Sequence, residues 1–207
     1  MSGSEGSNPS LSAKTKKESR FAMKLFNMKT SNNSFFFTEN SPGPMLIAQV
    51  AIFVALIVIG ASLKLYGPLG AIALNSAAGY FSALAFGALP GGVIAALIHL
   101  FSATAAGFPL SLPIHGLISV QMGFFALSFG FLAKRINLLA AFIVTTLLNG
   151  VLAPLSLAPI FGINFFLTIV LPLLIGSAVN VGLAGLVYIA VLALGIFVSK
   201  KHRDSNG

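Results

Sequence analysis

The sequence predicts an all-α membrane protein of six transmembrane helices, with both termini in the cytoplasm. Three observations lead there. Of 207 residues, 57% are hydrophobic and only 8% charged, with a mean hydropathy of +0.96, whereas a soluble domain carries roughly a quarter charged residues. From Met45 onward, Gly, Pro and charge divide the chain into apolar stretches, each near the ~20 residues needed to cross a bilayer. The basic residues then orient the threading. With the N-terminus inside, the tail's six, Lys134, Arg135, Lys200, Lys201 and Arg203 all fall on the cytoplasmic side, and only Lys64 lies outside.

Taken in order, residues 1–44 form a disordered basic cytoplasmic tail rich in Ser, Asn and Lys. Its apolar clusters at 21–26 and 35–37 are too short for a signal-peptide core. Lys14, Lys16, Lys17 and Arg20 suit contact with anionic membrane lipid, and Met23 or Met28 offers an alternative start. The six-helix transmembrane domain spans 45–199, with crossings at about 45–64, 69–87, 90–106, 113–133, 137–153 and 173–198. Pro68, Pro90, Pro109, Pro113, Pro154, Pro159 and Pro172 fall at or near the ends of these crossings, where a missing N–H costs least. Residues 200–207 are a short basic cytoplasmic tail.

Small residues mark where helices approach closely. Gly91 and Ala95 lie one turn apart on the third crossing, and Gly176, Gly182 and Gly185 lie on the sixth. Ala48, Ala51 and Ala55 form one stripe on the first, suited either to packing within the bundle or to docking another protein.

The charge and cysteine content exclude several functions. Cysteine is absent, which removes disulfides, thiolate catalysis and thiolate metal sites. All four acidic residues, Glu5, Glu18, Glu39 and Asp204, lie in the tails. Ion-driven carriers keep a carboxylate in the membrane for the coupling ion, and this chain has none there. The net charge of +8 is a topology signal, so no nucleic acid partner is expected. No metal, cofactor or catalytic residue is expected either. A Ser–His pair such as Ser111 or Ser119 with His115 lacks an orienting acid, and no phosphate-binding loop is present.

The polar residues that remain gather toward the outer face. The stretch GFPLSLPIH (107–115) places two prolines and His115 at the turn into the fourth crossing. His115, Ser119 and Met122 share a face there, while Gln121 points about a third of a turn away. Asn149, Asn180, Asn164 in the third outer loop, and Tyr66 in the first lie at similar depth, with Phe108 supplying aromatic surface. Apolar walls with a few hydrogen-bonding groups are the make-up of a small-molecule pocket. These six residues, His115, Asn149, Asn180, Phe108, Tyr66 and Asn164, are the candidate substrate-binding set. Each also has a plainer reading, since Asn and His often serve as interhelical glue and aromatics as interface anchors. His99, near mid-span, reads as structural. Without a carboxylate the pocket cannot pair with a cation, so a neutral, flat molecule with hydroxyls or ring nitrogens suits it best.

The motif Ala51-I-F-V-Ala55, the blocks LNSAAGYFSALAFGALPGG (74–92) and IHLFSATAAGFPLSLPIH (98–115), and NGVLAPL (149–155) carry a family resemblance. Over residues 45–199 the chain resembles the substrate-binding S-components of energy-coupling factor (ECF) vitamin transporters, and is most similar to the proposed α-ribazole transporters. The resemblance implies a bacterial plasma-membrane protein that is not itself an enzyme. It would bind a vitamin precursor from outside and dock on an ECF transmembrane coupling subunit carried by two cytoplasmic ATPase subunits. By position, Ala51 and Ala55 match the family's docking motif. α-Ribazole, a neutral cobalamin precursor, fits the inventory of polar groups. Riboflavin, cobalamin or another vitamin, and a stand-alone channel or facilitator, remain alternatives.

Overall fold

A computed structural model describes residues 64–67, 70–73 and 75–205, with side-chain surroundings for 76–193. Its elements are a short antiparallel ribbon and a series of helices. The ribbon pairs β1 (Lys64–Gly67) with β2 (Gly70–Ala73), Gly67 standing opposite Gly70. The helices are α1 (Asn75–Ala85), α2 (Ala88–Ala105), α3 (Leu112–Arg135), α4 (Leu138–Leu147), α5 (Ala153–Phe161) and α6 (Ile163–Ser205). A π-helical turn, Leu148–Leu152, fuses α4 to α5. The tail 1–44, nearly all of the first crossing, and with it Ala51 and Ala55, lie outside the described residues.

Among the described residues, four rods are long and apolar enough to cross a membrane: Ala88–Ala105, Leu112–Arg135, Leu138–Phe161 and Ile163–Ala193. Their outward faces carry large apolar side chains, with Phe101 70%, Val120 69% and Leu167 62% exposed. Water would punish such a surface by aggregation, whereas lipid solvates it. The protein is therefore membrane-embedded and multi-pass.

Three expectations change. The crossing placed at 69–87 becomes strand β2 followed by the 11-residue α1, which at ~1.5 Å per residue reaches about half of a ~30 Å hydrocarbon core. The Gly67-Pro68-Leu69-Gly70 turn signal ends helical periodicity before Asn75. The fifth crossing does not stop at 153, because α4–α5 continues through Pro154 and Pro159 to Phe161. There the Ala153 N–H donates to the Leu148 carbonyl, a five-residue step. This wider turn accommodates Pro154, which lacks an N–H and whose ring crowds the preceding turn. Likewise α6 begins at Ile163 and runs through Pro172, so the outer loop expected around Asn164 is the end of one helix and the start of the next.

Glycine sets the spacing of α1, α2 and α3. A Cβ on Gly91 would lie 2.2 Å from Ala83 Cα, and one on Gly92 2.8 Å from the Gly123 carbonyl oxygen. Such close approach brings large areas of helix surface into van der Waals contact. Around it lies a core in which Tyr80 meets Phe129 edge-on, with ring centroids 5.8 Å apart. Ser82 Oγ donates to the carbonyls of Gly79 (2.6 Å) and Gly91 (3.2 Å), tying α1 to α2. Ser119 Oγ similarly donates to the Ala96 carbonyl at 2.7 Å, tying α3 to α2.

Three of the helix entries share one backbone device. Gly87 (φ 102, ψ 162), Ser111 (φ 81, ψ 156) and Gly162 (φ 86, ψ 164) each immediately precede a helix. That region of backbone space is essentially reserved for glycine, so Ser111 is held there at a cost of about 1–3 kcal/mol. The entry to α4 is ordinary by comparison: Asn137 caps it, Oδ1 accepting from the Ala140 N–H at 2.7 Å.

Candidate functional site

A cavity of about 490 Å³ lies among α1, α2, α3, the π-turn, α5 and α6. Ile118, Gln121 and Met122 line it from the first half of α3, and Leu110 from the turn before that helix. It therefore sits in the half of the bundle nearest the Gly107–Ser111 and Gly162 connectors, away from Lys134 and Arg135. Its walls are mostly apolar, with Met122, Leu157, Phe165 and Leu173 prominent, and its polar side chains come from Ser76, His99, Gln121, Asn149, Ser177 and Asn180. None of these carries a carboxylate or an amine.

The two asparagines expected here both line the cavity, in different hydrogen-bonding states. Asn180 on α6 is committed: Oδ1 accepts from the Ala77 N–H at 2.9 Å, and Nδ2 donates to the Gly176 carbonyl at 2.8 Å. Ala77 is in the first turn of α1, where backbone N–H groups have no partner within the helix. Asn180 thus caps α1 from 103 residues away. Asn149 sits in the π-turn, is 7% exposed, and has no side-chain hydrogen bond among the described residues. Single π-turns within α-helices frequently mark functional positions, and this one carries a buried, unpaired amide to the cavity wall. Gly150 beside it allows the turn to pass Leu174, whose Cα would be 2.6 Å from an added Cβ.

His115 is buried but faces α2 instead of lining the cavity. Its Nδ1 lies 3.4 Å from His99 Nε2, and its Nε2 accepts from the Leu110 N–H at 3.4 Å. Phe108 packs against the His115 ring at a centroid distance of 5.9 Å and likewise does not line the cavity. Asn164, in the first turn of α6, is exposed and away from it. Tyr66 belongs to β1, where side chains are not described.

The wall residues that sequence reasoning passed over are His99, Gln121, Ser177 and Ser76. His99 reads as structural because it lies near mid-helix, yet it lines the cavity, and its ring is 5.6 Å from that of His115. Gln121 lines the cavity because the His115 face of α3 is turned toward α2, which rotates position 121 inward. Gln121 Nε2 donates to Ser156 Oγ at 2.7 Å, and that hydroxyl donates onward to the Ala153 carbonyl at 2.7 Å. With the hydroxyl proton committed, the amino group of Gln121 must face Ser156, and Oε1 is left buried without a partner. Ser177 Oγ is buried and unpaired as well. An orphaned buried group of this kind costs about 1–3 kcal/mol. The site thus gathers uncharged hydrogen-bonding groups, several unpaired, around an apolar space of small-molecule size. No family model, curated protein or solved structure matches the chain, so the chemistry of these residues is what bears on its function.

Proposed function

We propose that this chain is the substrate-binding membrane subunit of an ECF-type ATP-driven importer in a bacterial plasma membrane, and that its cargo is α-ribazole or a related neutral aromatic vitamin precursor. The observation that carries the reading is the uncharged, polar-studded cavity of about 490 Å³ in a chain that has no acidic residue between Ser41 and Arg203. An uncharged site favours a neutral ligand, because a buried cation would lack a counter-charge. The volume suits a nucleoside-sized molecule and not a corrinoid. The same lack of intramembrane acids leaves the chain without the usual groups for ion coupling, which fits a subunit that draws its energy from partner ATPases through a coupling subunit.

The experiment separates binding from transport. Purified full-length protein binds α-ribazole, and cells holding the coupling subunit and ATPases accumulate it. Ala51→Trp or Ala55→Trp abolishes accumulation while binding to the isolated subunit stays within about twofold, because a bulky residue blocks close helix contact. Binding that falls in step with uptake overturns the docking role of the two alanines. Concentrative uptake by the lone reconstituted protein under an ion gradient overturns the division of labour itself.

A further inference from the structure

From the turn between α2 and α3 a chain of hydrogen bonds links three residues, Leu110, His115 and His99, and its direction can be deduced. The Leu110 backbone N–H can only donate, so the His115 Nε2 that receives it at 3.4 Å must present a lone pair. A neutral His115 then carries its proton on Nδ1, which faces His99 Nε2 at 3.4 Å. Two N–H groups cannot face each other, so His99 Nε2 is the acceptor and His99 carries its proton on Nδ1. Charging either ring would break this order, and no carboxylate exists between Ser41 and Arg203 to compensate a cation. Nε2 of His99 is turned to His115, which does not line the cavity, so the polar atom His99 has left for the cavity is Nδ1.

The turn is built to aim that first donor. Gly107, Phe108 and Ser111 all have positive φ (74, 51 and 81). Phe108 N–H donates to the Ala103 carbonyl at 2.9 Å, and Ser111 N–H to the Phe108 carbonyl at 2.9 Å. Leu110 is pinned between them, and the Phe108 ring lies against His115.

We propose that the Leu110–His115–His99 chain acts as a directed relay that presents His99 Nδ1–H to the cavity, so that the bound ligand places a hydrogen-bond acceptor, a ring nitrogen or an oxygen, at that point. His115 is a positioning residue, acting through His99. The ligand half of this statement rests on the binding reading above, and the direction of the relay does not.

The test uses full-length protein labelled with 15N in its histidine rings, in lipid nanodiscs at mildly alkaline pH and without ligand. His99 and His115 are assigned by the loss of signals in His99→Asn and His115→Asn. Both rings are expected to carry the proton on Nδ1, the reverse of the form that free imidazole side chains favour in water. A His99 protonated at Nε2 overturns the proposal. Leu110→Pro removes the first donor and flips both rings; should that variant not fold, His115→Phe keeps a ring against Phe108 and returns His99 to the Nε2–H form. A His99 tautomer unmoved by His115→Phe overturns the relay. With α-ribazole as the probe, His115→Phe weakens binding about tenfold, and a His99 ring that flips to offer a lone pair on binding overturns the donor role. If α-ribazole leaves the wild-type protein unbound while the tautomers stand as stated, the cargo assignment falls and the relay remains.

Discussion

The α1–α2–α3 half of the bundle and the α4–α6 half solve helix contact in opposite ways. In the first, Gly91, Gly92 and Gly130 are packed against backbone and leave no room for even a methyl group. In the second, only the π-turn comes as close, at Gly150 against Leu174; along the helices themselves a Cβ on Gly182 would meet Phe142 at 3.5 Å and one on Gly185 would meet Leu138 at 3.6 Å, which is ordinary contact. A largely apolar cavity of about 230 Å³ lies beside those two glycines. Prolines and a π-turn interrupt the hydrogen-bond ladder on this side, and the polar-studded cavity opens between this half and α2–α3. The tight half supplies rigidity through dispersion contacts. The looser half keeps space and leaves Asn149 and Ser177 unpaired on the cavity wall opposite Gln121 Oε1 of α3, at a cost in stability.

Substitutions can break or sharpen this contrast, and they rank by size. Gly91→Val is the most damaging, because its side chain would occupy space already filled by Ala83 backbone. We expect a loss of about 3 kcal/mol or more, read as failure to accumulate or a collapsed melting temperature in detergent. Asn180→Leu removes the cap on Ala77 and lowers stability by about 1–3 kcal/mol in the same melting assay. Asn149→Leu is its counterpart on the unpaired side. It leaves the melting temperature nearly unchanged and weakens ligand binding by about 1–3 kcal/mol, measured by calorimetry; equal effects of the two asparagine changes on stability would erase the distinction drawn here.

Smaller effects follow. Ser111→Gly relieves the strained φ of 81 and stabilises the chain by about 1 kcal/mol, unless the strain is recovered elsewhere in the turn, in which case the melting temperature stays put. Gly182→Ala, in the loose half, shifts stability by no more than about 1 kcal/mol, with a gain expected from the better helix propensity of alanine. A loss as large as that of Gly91→Val would show that both halves are packed alike.

Much of this arrangement was legible beforehand, and the misses have a common cause. The crossings read at 90–106 and 113–133 match α2 (Ala88–Ala105) and α3 (Leu112–Arg135) closely, because Gly87, Gly107 and Pro113 punctuate them where the backbone actually turns. Pro154, Pro159 and Pro172 look identical as letters, yet all lie inside helices. Whether a proline ends a helix depends on whether the turn before it can widen, which neighbouring helices decide. Among the polar residues, Asn149 and Asn180 were singled out alike, and only their partners separate them. His99 reads as structural and His115 as a pocket residue in the sequence, whereas His99 lines the cavity from α2 and the orientation of α3 turns His115 toward α2.

By itself the sequence determined that this is a helical, membrane-embedded chain, that its interior holds no acid or thiol, and that its polar groups cluster toward one end. Those properties follow from composition and spacing, because lipid forces every backbone group into an internal hydrogen bond and tolerates few charges. Tertiary structure alone decided which polar atoms are spent and which remain open. Asn180 meets Ala77 across 103 residues, Gln121 meets Ser156 across 35, and His115 meets His99 across 16. A side chain's hydrogen-bonding capacity is written in its chemistry, but the use made of it depends on groups that only packing brings within about 3 Å.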